Sequence, residues 1–503
     1  QAALVMMPVL TPLTGAPLSV MLAAIADAVL GLYLIRAVSP ARRTVGYALG
    51  GAATAVALLV VTYGGRIDPL QQVAAVFRNG DVAMPTDMSV PYLRDGKTAT
   101  VSVAAHPGGT ALIATNGKPD ASLKVDARQS PTSDEITMVM AGALPYVHHP
   151  DPRRIAVIGW GSGLTTHTLA GSPKAQSIET VEIEPAMYEG AKLFHSRVSR
   201  AYDDPRSHVR FDDARTYFST GNRRYDVVVS EPSNPWVSGV ASLFTKEFYG
   251  FIKRHLERDG ILVQWLHTYE LNDELLATMV AALVSEFPNT EVYVTNTNDL
   301  IFIAHKGKAA NPDWAAIRQE PLASELQRVG LAGERDFAIR RVGGARVLAT
   351  FVRNRGAKPY SDFYPTVALN APRSRFKREV ADSLVGLVDS GLPVLDVLDG
   401  RQAYVPLHSL DADTARFSSG IRNAVAVRRA LIERDASRLA AMPELANRVA
   451  ALREASSRVL VQEQVEYWSN LAANVADATL GLLPAEEQNG LWIHPAWLDV
   501  SQQ

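Results

Sequence analysis

The stretch "RIAVIGWGSG" (Arg154–Gly163) decides the fold, because a short apolar run leads directly into a glycine-rich turn. Such a run is typical of a strand buried on both faces of a parallel sheet. Further short apolar runs follow: "IETVEIE" (178–184), "HVRFDD" (208–213), "YDVVVSE" (225–231) and "GILVQWL" (260–266). The helical patterns that accompany them are Leu164–Ala170, Pro185–Val198, Leu243–Glu257 and Asp273–Phe287. This alternation predicts βαβ units and a parallel sheet covered by helices.

Antiparallel elements are predicted on both sides of this region. "TATVSVA" (98–104) and "TALIAT" (110–115) flank a Pro-Gly-Gly turn and indicate a β-hairpin. "TEVYVTN" (290–296) and "DLIFIAH" (299–305) indicate a second hairpin, the usual close of a class I methyltransferase-type sheet. The predicted fold class is therefore α/β, with a Rossmann-like sheet preceded by a small β-hairpin domain.

The N-terminal region is far more apolar than the rest. Leu18–Ile35 carries one charge, and Val45–Tyr63 carries none over 19 residues. Each run is close to the roughly 20 residues that cross a bilayer, so we predict a transmembrane helical hairpin. The alternative is a buried helical pair in a soluble domain. Because the chain begins with Gln and is apolar from the start, we also expect it to be the C-terminal part of a longer membrane protein.

Composition narrows the function classes. The chain has 503 residues, a net charge of −2 and no cysteine, which excludes disulfides and cysteine-based zinc sites and does not suggest a nucleic-acid binder. The eleven histidines show no metal-ligand spacing, and we predict no metal.

The predicted regions are a transmembrane hairpin (1–65), a linker (66–88), a small antiparallel β domain with a connecting helix (89–150), a Rossmann-like catalytic domain (151–307) and a mostly helical C-terminal extension (308–503).

Polar residues stand where the predicted parallel strands end. The glycine loop 159–163 is followed by Glu182, by Asp213 next to Ala214, and by Glu231. Ligands of open α/β sheets bind beyond the carboxyl ends of the strands, so these residues predict one pocket. The carboxylate after the second strand suits ribose hydroxyls, and Asp213 suits the edge of an adenine ring. The sequence thus predicts an adenosine pocket.

A dinucleotide is the first alternative ligand for this pocket. Its pyrophosphate usually requires a third glycine at the helix start, where this chain has Leu164. An adenosyl sulfonium therefore fits the loop better than NAD.

The motifs together resemble the polyamine aminopropyltransferases (spermidine synthases), and more closely their membrane-fused bacterial relatives, over roughly residues 90–305. The resemblance rests on "TNGKPDAS" (115–122), "LPYVHHPDPRRIAVIGWGSG" (144–163), "VEIEP" (181–185), "DPRSHVRFDDAR" (204–215), "YDVVVSEPSNPWVSGVASLFTKEFY" (225–249) and "GILVQWLH" (260–267). It implies transfer of an aminopropyl group from decarboxylated S-adenosylmethionine to an amine, release of methylthioadenosine, and a homodimer.

The resemblance also implies roles for single residues. The cofactor-binding residues are Gly159, Gly161, Ser162, Gly163, Glu182, Asp213 and Ala214. Glu231 matches the family's catalytic Asp, and we expect it to accept the proton of the attacking amine. Asn234 matches a second Asp that contacts the amine, and Trp236 is predicted to wall the substrate pocket.

Three departures from the family leave the substrates open. Ser162 stands where the family has an Asp that pairs with the cofactor's free amine, and Met138-Val139 replaces a Tyr-Gln pair. Asn234 is neutral where the family has an acid. A buried ammonium without acidic partners is costly, so putrescine as acceptor is in doubt. Ser162 also leaves open whether the donor is decarboxylated S-adenosylmethionine or S-adenosylmethionine itself.

Two other functions remain alternatives. "SNPW" (233–236) is similar to a turn of amino methyltransferases, which makes S-adenosylmethionine-dependent N-methyl transfer the first. The second is a catalytically degraded, membrane-tethered sensor of adenosyl compounds or polyamines.

The location follows from the predicted hairpin and the cofactor. We expect the bacterial inner membrane, with the catalytic domain on the cytoplasmic side where adenosyl donors are found. The arginines do not decide the orientation in the membrane. Arg36, Arg42 and Arg43 between the predicted spans favour a cytoplasmic linker, whereas Arg66 and Arg78 after the second span favour the opposite orientation.

Overall fold

The computed structural model describes residues 11–35, 40–64, 68–126, 128–296, 298–331, 333–338 and 340–385, with eight further residues between 440 and 450. Contacts divide the chain into two compact units. The first contains residues 1–234, 251–263 and 310–329, and the second contains residues 235–250, 264–309 and 330–503.

After a short helix, Thr11–Thr14, the first unit contains two long apolar helices, Ala16–Leu34 and Pro40–Gly64. Gly46 and Gly50 lie one turn apart on the second helix, and a Cβ on either would lie 3.2 or 3.3 Å from side chains near the end of the first helix. Small residues at this spacing let two helices pack closely. By length and composition, among the described residues only Ala16–Leu34 is long and apolar enough to cross a membrane; the apolar part of the second helix, Thr44–Val60, is shorter.

A four-stranded antiparallel sheet follows, with its strands in chain order. The strands are β1 (Ser89–Asp95), β2 (Thr100–Ala105), β3 (Thr110–Thr115) and β4 (Lys118–Lys124). The predicted hairpin is confirmed, because β2 and β3 pair antiparallel. The linker before the sheet contains two short helices, Pro69–Gln72 and Val76–Asn79.

The parallel sheet of the first unit is built from β5 (Arg154–Ile158), β6 (Ser177–Glu182), β7 (Ser207–Phe211) and β8 (Tyr225–Ser230). β5 pairs in parallel with both β6 and β8, and β6 pairs with β7. The order is β8-β5-β6-β7, with residues 256–263 of β9 (Leu256–His267) beyond β8. The chain therefore reverses its direction of winding between β5 and β8, which is the switch point where such sheets bind ligands.

Helices precede, connect or follow these strands in the first unit. They are Ser133–His148, Leu164–Leu169, Pro185–Ala191, His195–Asp203, Ala214–Ser219 and Leu322–Arg328. The central strands are fully buried: residues 155–157 and 227–229 each have 0% exposed surface. Continuous apolar runs of this kind are expected where helices cover both faces of a sheet.

The second unit contains the predicted hairpin, β10 (Asn289–Asn296) and β11 (Asp299–His305), paired antiparallel. A third strand, β12 (Arg341–Gly343), pairs with β10 and is too short to leave a sequence pattern. The helices of this unit are Asp273–Glu286, Glu334–Ala338, Ala345–Asn354 and Thr366–Phe376.

Two sequence predictions need correction in detail. The helix predicted over Leu243–Glu257 is shorter, Lys246–His255, because Leu256 already begins β9. The pattern over Pro185–Val198 forms two helices with a 3-10 turn between them.

Several predictions fall outside the described residues. These are the charge signals at Arg36 and Arg66 and the parts of the predicted helical C-terminal extension that lie at residues 386–439 and 451–503. The predicted domain boundaries also stay predictions.

Candidate functional site

The four predicted strand ends come together at one edge of the parallel sheet. The backbone N–H of Glu231 donates to the carbonyl of Ile158 at 3.0 Å, which joins the ends of β8 and β5. The N–H of Gly159 donates to Val181, and that of Asp212 donates to Glu182, so β6 and β7 end at the same level. The glycine loop, Glu182, Asp213 and Glu231 therefore share the edge that contains the switch point.

The glycine loop depends on backbone conformations that favour glycine. Gly159 has φ +96°, and a Cβ there would lie 2.5 Å from the carbonyl oxygen of Glu231. Gly163 has φ +84°, and its Cβ would lie 3.2 Å from the indole of Trp160. Gly161 also has a positive φ, but its Cβ would meet open space. The loop is thus tight against Glu231 and open at Gly161.

Trp160 anchors this loop in an aromatic cluster. Its ring is buried and packs edge-on against Tyr188 at 4.8 Å and Tyr202 at 5.1 Å. Edge-to-face pairs of this kind add to the stability gained from burial. This packing of Trp160 fixes the conformation of the loop backbone.

Two backbone N–H groups hold the carboxylate of Glu182 at the end of β6. Its two carboxylate oxygens accept hydrogen bonds of 2.8 Å from the N–H groups of Trp160 and Glu184. Burial raises the pKa of Glu182 to about 7, although these two hydrogen bonds oppose the rise. Each carboxylate oxygen retains a further lone pair, so the group can still accept hydrogen bonds from ribose hydroxyls.

Asp213 caps the helix Ala214–Ser219. One carboxylate oxygen accepts hydrogen bonds from the backbone N–H of Thr216 at 2.9 Å and from its hydroxyl at 3.2 Å. The capping role fixes the side chain at the end of β7, next to the buried Ala214. Its predicted contact with an adenine edge stays a prediction.

Two of the departures from the family lie in contact with one another. The hydroxyl of Ser162 is fully buried and donates to the sulfur of Met138 at 3.1 Å. The sequence places these residues 24 positions apart and gives no sign of the contact. Both groups are uncharged, so neither can form an ion pair with the free amine of a donor.

The turn after β8 contains the predicted catalytic and substrate residues. Glu231 is half-buried. Asn234 is 0% exposed, and neither its amide oxygen nor its amide nitrogen has a hydrogen-bond partner in the described part of the chain. An unpaired buried amide is costly, which points to a ligand that supplies the missing bonds. Trp236 belongs to the second unit, where the guanidinium of Arg375 lies 4.9 Å from its ring centre.

Sequence reasoning missed Lys118 and Asp120. Both lie on β4, and the ammonium of Lys118 is 2.9 Å from a carboxylate oxygen of Asp120. The same oxygen accepts a 2.9 Å hydrogen bond from the hydroxyl of Ser233, in the turn after β8. The usable signal was their spacing, since residues two apart on a strand point to the same face.

The small sheet is attached to this edge through Glu184. One carboxylate oxygen of Glu184 accepts hydrogen bonds from the N–H and hydroxyl of Thr98, at 2.6 and 2.9 Å, and from the N–H of Ala99 at 3.3 Å. The other oxygen caps the helix Pro185–Ala191. Glu184 therefore fixes the β1–β2 loop next to Glu182.

The residues present fit an adenosyl ligand. The free space at Gly161 admits a ligand against the backbone, and Glu182 offers acceptors for ribose hydroxyls. The unpaired amide of Asn234 supplies a donor and an acceptor at the other end of the edge.

Comparisons with known proteins find similarity over part of the chain. Residues 136–302 match the model of the spermine/spermidine synthase domain. The polyamine aminopropyltransferase of Bacillus subtilis is 29% identical over 157 residues, which are 31% of this chain and 56% of that protein. The polyamine aminopropyltransferase of Moorella thermoacetica is 28% identical over 156 residues, 31% of this chain and 55% of that protein. The chain thus spans little more than half the length of these curated relatives.

A solved spermidine synthase from Thermotoga maritima aligns with a TM-score of 0.40 and 20% identity, over 46% of this chain and 78% of that one. The family rests on the sequence matches and not on this alignment. Residues 136–302 are thus similar to the spermine/spermidine synthase domain.

Proposed function

We propose that this protein is a spermidine synthase-like transferase that moves an aminopropyl group from decarboxylated S-adenosylmethionine to an amine and releases methylthioadenosine. The observation that carries the proposal is the position of Glu231 at the switch point, packed against Gly159 of the glycine loop. The family match over residues 136–302 favours this reaction over methyl transfer and over a sensor.

The donor supplies a carbon made electrophilic by the positive sulfur beside it. A neutral amine attacks that carbon; the carbon–nitrogen bond forms while the carbon–sulfur bond breaks, and its electron pair stays on sulfur. Glu231 accepts the proton that the new ammonium loses. The fixed turn at Glu231 and the amide of Asn234 orient the nitrogen, and such alignment contributes much of the rate enhancement.

Different residues of the site bind different parts of the donor. In this proposal Glu182 binds the ribose hydroxyls, Asp213 and Ala214 lie at the adenine, and the loop 159–163 approaches the chain that is transferred. The neutral contact between Ser162 and Met138 provides no acid for a free amine on that chain. S-adenosylmethionine therefore remains the alternative donor, and its use would give N-methyl transfer.

Calorimetric titration tests the ligand, and product analysis tests the reaction. The purified full chain is titrated with decarboxylated S-adenosylmethionine, S-adenosylmethionine and methylthioadenosine, then incubated with amines. We expect methylthioadenosine as product, and about 10²- to 10⁴-fold slower release for Glu231→Gln with binding retained. The matched control is Glu189→Gln, an exposed carboxylate paired with Lys192.

Two results contradict the proposal. Formation of S-adenosylhomocysteine instead of methylthioadenosine shows methyl transfer. Binding of none of the three adenosyl compounds excludes both reactions.

The protein is further proposed to lie in the bacterial inner membrane with its catalytic domain in the cytoplasm. The helix Ala16–Leu34 supports an anchor, since only 6% of its apolar window is buried. The chain has no cysteine, so an introduced one is a clean reporter. In intact spheroplasts we expect Ser219→Cys to resist a membrane-impermeant maleimide and to react after permeabilisation; labelling of intact spheroplasts contradicts this orientation.

A homodimer is proposed from the family resemblance alone. Analytical ultracentrifugation of the detergent-solubilised chain tests it, and a monomer at micromolar concentration contradicts it.

A further inference from the structure

The helix Thr366–Phe376 of the second unit carries large apolar side chains on the face that it does not bury. The helix packs against Asp273–Glu286, and the residues of its inner face are at most 1% exposed: Val367, Ala371 and Ser374. Leu369 and Phe376 lie two helical turns apart on the opposite side and are 69% and 87% exposed. A helix that packs through one face usually has polar residues on the other. Packing within the second unit therefore does not account for these two side chains.

Two more exposed aromatic side chains stand directly before this helix. Phe363 is 80% exposed and Tyr364 is 75% exposed. The backbone that carries them is held by Glu247, whose carboxylate accepts hydrogen bonds from the hydroxyl of Ser361 at 2.6 Å and from the N–H of Asp362 at 3.0 Å. Large apolar side chains that are grouped on a surface mark sites of contact with a protein or a membrane.

The same stretch is basic. Residues 363–378, which we name the aromatic-basic segment, contain four basic residues and no Asp or Glu: Arg373, Arg375, Lys377 and Arg378. With the flanking acids Asp362 and Glu379 included, four basic and two acidic residues leave a net charge of +2 over residues 362–379.

Two of these cations have contacts of their own, and two do not form ion pairs. The ammonium of Lys377 lies 3.5 Å from a carboxylate oxygen of Glu379, and Arg375 lies over the ring of a tryptophan. Arg373 and Arg378 are exposed, and neither forms an ion pair within the described part of the chain. The positive charge of the segment is therefore presented to the solvent.

Acids on the neighbouring elements do not cancel this charge. Asp273 and Glu274, at the start of the adjacent helix, lie 2.7 and 3.4 Å from the guanidinium of Arg355. Glu247 bonds to the loop before the segment and lies 3.9 Å from the ammonium of Lys246. Each of these carboxylates thus has a cation beside it that lies outside the segment.

This combination of side chains fits an anionic lipid surface. Aromatic and leucine side chains enter the head-group region of a bilayer, and Lys and Arg bind the acidic head groups. A second copy of this chain fits less well, because a symmetric contact would bring the same cations face to face. The chain also contains Ala16–Leu34, whose apolar window is only 6% buried, so a bilayer is a surface that this protein is equipped to meet.

We propose that the aromatic-basic segment docks on the surface of an anionic lipid bilayer. The side chains of Phe363, Tyr364, Leu369 and Phe376 enter the head-group region, and Arg373 and Arg378 bind the lipid phosphates. This contact is separate from the proposed membrane anchor, and it does not depend on the proposed transfer reaction.

A fluorescent probe at Leu369 tests the contact. The chain has no cysteine, so Leu369→Cys accepts a polarity-sensitive dye at one position. The full chain is placed in nanodiscs of phosphatidylcholine alone or of phosphatidylcholine with phosphatidylglycerol, both with nitroxide-labelled lipids as quenchers. We expect quenching in the anionic discs, its loss at high salt, and none in the neutral discs. Ala349→Cys, at an exposed position of the helix Ala345–Asn354, is the matched control and should not be quenched in either disc.

Two double variants on the Leu369→Cys background separate the contributions of charge and apolar contact. Each basic residue near an anionic surface contributes about fivefold, so Arg373→Gln with Arg378→Gln should lower the ratio of docked to undocked protein about 25-fold. Arg346→Gln with Arg353→Gln removes the same charge from another exposed place of the second unit and should leave the ratio unchanged. Phe363→Ser with Phe376→Ser keeps the charge and should lower the ratio at least tenfold. All the substituted side chains are exposed, so we expect the variants to fold.

Four results would overturn the proposal. The first is a probe at Leu369 that stays unquenched in the anionic discs, and the second is equal quenching in the neutral discs. The third is an effect of the Arg373 and Arg378 substitutions no larger than that of their control. The fourth is a probe that iodide in the buffer cannot reach in neutral discs, since the segment would then be covered by protein. Release of methylthioadenosine is measured separately, so failure of the transfer reaction leaves this proposal standing.

Discussion

The contact between Gly159 and Glu231 gives the sharpest prediction, through the substitution Gly159→Ala. A Cβ at this position would lie 2.5 Å from the carbonyl oxygen of Glu231, whereas ordinary contact begins at 3.4 Å. The loop or the turn after β8 must therefore move by about 0.9 Å. The φ of +96° adds strain that an alanine cannot avoid.

The magnitude follows from these two effects. The positive φ costs about 1 kcal/mol, and overpacking at the contact costs about 1–3 kcal/mol more. Gly161→Ala is the matched control for stability, since Gly161 also has a positive φ but a Cβ there meets nothing within 4 Å. Gly159→Ala should thus be less stable than Gly161→Ala by about 2 kcal/mol, which corresponds to about 4–8 °C in melting temperature.

Two assays check the reasoning. Differential scanning calorimetry without ligand measures the difference in melting temperature between the two variants. Release of methylthioadenosine measures the effect on Glu231, and a shift of nearly 1 Å at a reacting group should cost about 10²-fold in rate. Equal melting temperatures for the two variants, or a wild-type rate for Gly159→Ala, would refute the proposed coupling between the loop and Glu231.

Three further predictions concern the carboxylates of the first unit. The pKa of Glu182 is raised to about 7, and hydrogen bonds from ribose hydroxyls favour its charged form. The affinity for methylthioadenosine should therefore rise between pH 6 and pH 8, and binding should release a proton. Calorimetric titration in two buffers of different ionisation enthalpy measures this proton release, and an affinity that does not change with pH contradicts the prediction. Glu184→Ala should release the amides of Thr98 and Ala99 to hydrogen exchange at a cost of about 1–3 kcal/mol; unchanged protection contradicts the anchoring role. Burial opposes ionisation of Glu325, but the hydrogen bond from His167 and the charge of Arg197 lower its pKa to about 2. Its contribution to stability is therefore complete above pH 4.5 and is lost as the pH falls towards 2. Glu325→Gln should lower the free energy of unfolding by about 3 kcal/mol at pH 7 and by little at pH 2, as urea unfolding at both values will show.

Much of the fold was predictable because it depends on local patterns. Buried parallel strands need continuous apolar runs, and both hairpins need alternation and a turn, so β2, β3 and β5 to β11 were visible in the sequence. The strand β12 was not, because three residues carry no period. The end of the helix before β9 was misplaced because the first four residues of β9, "LERD" (256–259), are mostly charged and carry no strand pattern.

The positions of the site residues at strand ends were predictable for the same reason. In a parallel sheet all carboxyl ends meet at one edge, so Gly159, Glu182, Asp213 and Glu231 could be assigned to one place from their order along the chain. Their roles as ligand contacts stay predictions.

The amino-acid sequence by itself determined the kind of sheet, its edge and the resemblance to the spermine/spermidine synthase domain, because these follow from the period of apolar residues and from motifs that are continuous in the chain. Only the tertiary structure brought Ser162 against Met138 and placed Lys118 and Asp120 beside Ser233, more than 110 residues away. Contacts of this kind depend on how separate elements pack, and no local pattern encodes them. The contacts within the predicted site are therefore set by the packed structure, whereas the position of the site at the strand ends is set by the sequence.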